Sequence, residues 1–178
     1  MRRMVCAVVI CVLVPFTNVV AQQSSNGQKG KAQDSEAVCP MHEAHSEMNE
    51  RGEEGMGFSQ IATTHHFLMN LDGGVIQVEV KDPADKTNRD SIRMHLSHIA
   101  QAFANGDFDI PMFVHATVPP GVPEMKRLRE KIRYSFEETL NGGRVVISSS
   151  DKESLAAIHK FLTFQVREHK TGDPTDVH

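Results

Sequence analysis

The chain predicts a two-layer α+β domain in which antiparallel hairpins are covered on one face by helices, built as a pseudo-repeat of ββα units. Three observations carry that expectation. Asp72-Gly73 and Asn141-Gly142 each stand between flanks that alternate apolar and polar residues, the signature of a tight hairpin. "FLMNLDGGVIQVEV" (67–80) and "FEETLNGGRVVISS" (136–149) align with their Gly-Gly pairs in register. Each hairpin then leads into a stretch with helical apolar spacing, 89–108 and 152–173, and both stretches close on Gly-Asp.

Taken in order, the first hairpin opens in "IATTHHF". A two-residue turn at Asp72-Gly73 pairs Met69 with Ile76, Phe67 with Val78 and His65 with Val80, an apolar face expected to look toward the helices. His66 with Glu79 and Leu68 with Gln77 form the polar face, and a one-residue slip would exchange the two. In the following helix Ile92, Leu96, Ile99 and Phe103 recur at i, i+4, i+7 and i+11, with Asp90 as candidate cap and Gly106 as stop. A short strand around Met112–Val118, a Pro-Pro-Gly loop at 119–121 and a short helix opened by Pro123 link the units. The second hairpin puts Tyr134 where the first has His65, and its helix has Ser154 as cap and Gly172 as stop.

The domain spans 56–173, with a tail at 174–178. Ahead of it, residues 1–21 have the layout of a cleaved secretory signal: Arg2 and Arg3, an apolar run from Val5 to Phe16, and small residues ending at Ala21. The run is short for a membrane span and Pro15 interrupts it, and Cys11 lacks the small-residue spacing of a lipoprotein site. The expected product is an exported, periplasmic protein whose mature chain keeps a single cysteine, Cys39, and no membrane span. Loss of Arg2 and Arg3 with the signal takes the formal net charge from −4 to −6, which argues against nucleic acid or an anionic membrane surface as partner.

Residues 22–55 are polar and poor in large apolar side chains, so they read as a flexible arm. Within it "CPMHEAHSEM" gathers Cys39, Met41, His42, His45 and Met48. A thiolate, thioethers and imidazoles together are the ligands that Cu(I), then Zn(II), prefer. A linker that merely happens to hold these residues is the other reading. "CPMH" resembles the core of a small heavy-metal-binding motif found beside bacterial copper efflux components, whose usual form is Cys-Pro-Met-His-Pro. Four residues match, and Glu43 stands where that motif has its second proline. "TTHHF", "IRMHLSHIA", "GDFDIPMFVH", "PPGVP" and "EHKTGD" resemble a family of small exported bacterial proteins, which brings no established activity. Some members carry the name of a carbamoyltransferase. This chain is short for that enzyme and has no Ser-Thr-Arg-Thr phosphate element.

The domain histidines form the second candidate set. His95 and His98 share one flank of the first helix at i, i+3, a spacing at which two imidazoles can approach one ion. Aligning the two Gly-Asp ends puts Phe161 and Phe164 opposite them, so the fold does not require histidine there. His65 points toward the same layer, and His115 on the linker strand closes the site from the side. His66 is a surface or supporting group, while His159 and His169 read as surface or helix-end residues, a cation at 169 suiting the helix dipole. The bland reading has His65 and His115 hydrogen-bonded at the sheet edge and the helix pair facing water. Most of Met56, Met69, Met94, Met112 and Met125 read as core fillers, while Met94 and Met112, close in sequence to His95 and His115, could add thioether character to a site.

No nucleophile elbow, phosphate loop or paired carboxylate site supports a particular reaction. The leading expectation is therefore a metal-binding protein of the periplasm, for copper or alternatively zinc, that chaperones, buffers or confers resistance. A metal-efflux or copper-enzyme partner and a homodimer are compatible with it. A small metal-dependent enzyme or sensor, and an interaction module without metal, remain the alternatives.

Overall fold

The computed structural model describes residues 40–177, with side chains from residue 46 onward. The signal, the first part of the arm, Cys39 and His178 lie outside the described residues. The chain forms α1 (Pro40–Met56), β1 (Thr63–Asn70), β2 (Gly73–Val80), α2 (Lys86–Ala104), α3 (Asp109–His115), α4 (Val122–Arg127), β3 (Arg133–Thr139), β4 (Gly142–Ser148) and α5 (Lys152–His169). One sheet of order β1-β2-β4-β3, antiparallel throughout, carries the helices on one face. This is the expected α+β architecture.

Local chemistry sets the hairpins. Asn70 pairs with Gly73 and Thr139 with Gly142, so the turns fall at 71–72 and 140–141, one residue before the expected positions. His65 consequently pairs with Val78, not Val80, and His66 with Gln77. The register moves by two, so neither residue changes face. The glycines explain the shift: they serve the close approach of the central strands. A Cβ on Gly73 would lie 1.9 Å from the Ile147 carbonyl oxygen, and one on Gly142 2.1 Å from that of Val78. β2 and β4 meet glycine against backbone at both ends of their pairing.

The helices then cross over. α2, which follows the first hairpin, packs chiefly on β3 and β4, while α5 packs on β1 and β2. Each is pinned to the other unit's turn by one side chain. Arg93 donates to the carbonyls of Gly142 (3.1 Å) and Thr139 (2.8 Å). His159 Nε2 reaches those of Asn70 (2.9 Å) and Gly73 (3.0 Å), the equivalent positions. Between the layers Phe67, Ile76, Val78, Val145 and Ile147 of the sheet meet Ile92, Leu96, Phe103, Ile158, Phe161 and Leu162 of the helices, all buried. Such side chains each contribute about 1.5–3 kcal/mol by leaving water.

Three local expectations are corrected. Residues 112–118 do not form a strand: α3 occupies 109–115. Pro111 is tolerated in the first helical turn, and Asp107 accepts from the Asp109 N–H at 2.9 Å to start it. The caps are Asp85 and Asp151, whose carboxylates accept from the N–H groups of Asn88 and Ser154 at 3.0 Å, so α2 begins earlier than Asp90. The second half of the arm is the helix α1, rich in good helix formers. It docks by burying Met48 and by donating from Arg51 Nε to the Val114 carbonyl at 3.0 Å. Among the described residues no helix is long and apolar enough to cross a membrane.

Candidate functional site

The helix-facing side of β1 presents His65, between buried Thr63 and buried Phe67. Phe58, in the loop after α1, stacks on the His65 ring with centroids 5.9 Å apart and meets His95 of α2 edge-on at 5.6 Å. The last turn of α5 brings His169 parallel to His65 at 5.7 Å and 5.4 Å from Phe67. His115, the last residue of α3, stands edge-on to His169 at 5.1 Å. Four elements thus deliver His65, His95, His115 and His169 to one cavity of about 70 Å³. Its remaining wall is mostly hydrocarbon, from Met56, Leu96, Ile99, Phe103 and Val114. Among the described residues no carboxylate lines it.

Burial decides the protonation of these rings. Desolvation, helped by His66, lowers His65 to about 4. Desolvation, then His98 and His65, lowers His95 to about 4. His115 is also lowered, burial and Arg51 outweighing the hydrogen bond to Gln165 and the charge of Glu168. At neutral pH these three imidazoles are uncharged and keep a lone pair each. His115 Nε2 lies 2.9 Å from Gln165 Oε1, an acceptor, so that nitrogen carries the proton and Nδ1 keeps the lone pair. His115 Nδ1 and His65 Nε2 are buried without a hydrogen-bond partner.

Neutral imidazoles in an apolar wall are weak bases, but they are the ligand that copper and zinc take. Two imidazoles on one ion, with metal–nitrogen distances of about 2.0–2.1 Å, have ring centres roughly 5–6 Å apart. The His115–His169 separation of 5.1 Å lies in that range, whereas His65 and His169, stacked with planes 11° apart at 5.7 Å, would have to turn before their in-plane lone pairs could meet at one ion. Among the described residues, no three His, Cys, Asp or Glu side chains are grouped so as to hold an ion together. The cavity therefore gathers imidazoles, and a shared ion requires rotation about the soft χ2 torsions of the rings.

The predicted set is redistributed. His65, His95 and His115 meet at the cavity, whereas His98 is exposed and lines a separate cleft with Ala102 and Asp107. Cys39 and the side chains of Met41, His42 and His45 lie outside the described residues. Met48 is buried on α1 as a packing residue. His169, read as a helix-end cation, is instead central, and Gln165 is its unforeseen neighbour. The signal for it was present: Ile158, Leu162, Gln165 and His169 follow one helical stripe. Comparison of the chain with family models, curated proteins and solved structures returned no match.

Proposed function

We propose that this is an exported protein that binds a soft or borderline metal ion, copper first and zinc as the alternative, and buffers it or passes it to a partner. The observation that carries the reading is the meeting of four imidazoles on an apolar cavity with two ring nitrogens buried and unpartnered. Each such orphan costs about 1–3 kcal/mol, a cost that coordination would relieve. His65, His115 and His169 would hold the ion, with His95 adjoining. The apolar cavity wall would favour Cu(I), which asks for little beyond two or three soft or imidazole ligands. In this reading Cys39, Met41, His42 and His45 capture the ion ahead of the domain.

Metal analysis of exported protein tests it. Wild type and Cys39→Ser should each retain copper or zinc in the domain, and a His65→Ala, His169→Ala double variant should lose it. Wild-type protein at background for both metals would sink the reading. The hydrocarbon of the cavity wall favours a second one, a small apolar ligand hydrogen-bonded to the imidazoles, and that outcome would then stand.

A further inference from the structure

A second space adjoins the cavity. A groove of about 380 Å³ shares His65 and His169 with it, so the two rings line both spaces. The groove is more polar, walled by Thr64, His66, Lys81, Lys170 and Thr171 together with Ile61 and others. An ion or small ligand moving from groove to cavity would pass this ring pair, which lies parallel at 5.7 Å.

What holds the pair is just beyond α5. After His169 the chain reverses through Lys170 (φ 51°) and Gly172 (φ 77°). The reversal returns Asp173 to the free edge of β1. Its Oδ1 accepts from His66 Nδ1 at 2.9 Å, and its Oδ2 accepts from the Phe67 backbone N–H at 2.9 Å and the Thr171 hydroxyl at 2.6 Å. The carboxylate occupies the place of a further strand at an edge N–H. Burial raises its pKa, but the bonds from Thr171, His66 and Phe67 outweigh burial and hold it below the ordinary value. The aligned Asp107 of the first unit makes no such clamp; it accepts from Asp109 N–H at the start of α3. The clamp is therefore confined to the unit whose helix ends on the ring that faces His65.

We propose that Asp173 is a latch that holds the His65–His169 pair closed, making the two rings a gate between the polar groove and the imidazole cavity. The proposal rests on the cavity being the binding site. Asp173 is a positioning residue in it: release of residues 170–173 frees the end of α5 to lift His169 from His65.

The test uses full-length, metal-free protein and the rate at which diethyl pyrocarbonate modifies each histidine, read by peptide mass mapping. The exposed His98 serves as internal reference. Asp173→Ala should raise the rates at His65 and His169 about tenfold through more frequent local opening. Thr171→Val, which removes the hydroxyl's bonds to the Asp173 carboxylate and N–H but keeps those from His66 and Phe67, should give a smaller rise, and Asp173→Asn, which keeps an acceptor for Phe67 N–H, should stay nearer wild type. Unchanged rates at His65 and His169 in folded Asp173→Ala would overturn the latch, and if that variant does not fold, unchanged rates in Thr171→Val would overturn it. Because no metal is present, a protein that shows the gate but retains no ion would fail the metal reading alone.

Discussion

His65 carries a folding cost that a hydrocarbon ring would not. Its Nε2 is buried without a partner, its charged form is excluded by burial, and a cavity of about 70 Å³ lies beside it. The aligned position in the second hairpin holds Tyr134, so a six-membered ring fits that place in the repeat. His65→Phe should therefore stabilise the protein by about 1–2 kcal/mol, a rise of several degrees in Tm, while removing ion retention. Thermal melting beside metal analysis checks both; a less stable variant would show that the nitrogen is satisfied in solution. The same burial fixes the response to acid. His65 and His95 sit at about 4 folded against about 6.5 unfolded, so in that interval the unfolded chain binds more protons. Stability should thus fall as pH drops from about 6.5 to 4, and rise again on return. Denaturant midpoints across that window should show the slope in wild type and a shallower one in His65→Phe.

At the scale of elements, α1 belongs to the domain. Met48 is buried, Arg51 bonds the Val114 carbonyl next to His115, and Met56 lines the cavity. A chain begun at Gly57 should lose roughly 2–5 kcal/mol relative to one begun at Pro40, measured by urea unfolding; equal midpoints would detach the helix from the fold. Sequence had marked this stretch as an arm because its few apolar residues, such as Met48 and Met56, do not form a stripe on their own. The hairpins were legible because period-two alternation and paired glycines are local signals, and an error of one residue in the turn left the faces of His65 and His66 intact. α3 was not, since a short apolar run containing Pro111 does not separate strand from helix. Nor was the crossing of α2 and α5 onto each other's hairpins, which depends on Arg93 and His159 meeting carbonyls more than forty residues away. That crossing is what brings His169 of one unit to His65 of the other.

For the whole molecule, the crossing means that an ion shared by His65 and His169 ties the two ββα units together. Binding at a ligand concentration 100 times Kd should then add about 2.7 kcal/mol to the stability of the entire domain. Its pH dependence distinguishes the cavity from the arm. A metal competes with protons for each ligand. An imidazole with an ordinary pKa near 6.5 falls roughly thirtyfold in its unprotonated fraction by pH 5, and an unperturbed thiol falls further. His65 and His95, at about 4, are still mostly unprotonated there. Equilibrium dialysis of Cys39→Ser protein should therefore show copper affinity that falls less between pH 7 and pH 5 than three imidazoles of ordinary pKa would give, because His65 of the proposed ligand set stays unprotonated. A loss as large as three imidazoles of ordinary pKa would give would mean that solvated histidines hold the ion and that the buried rings do not.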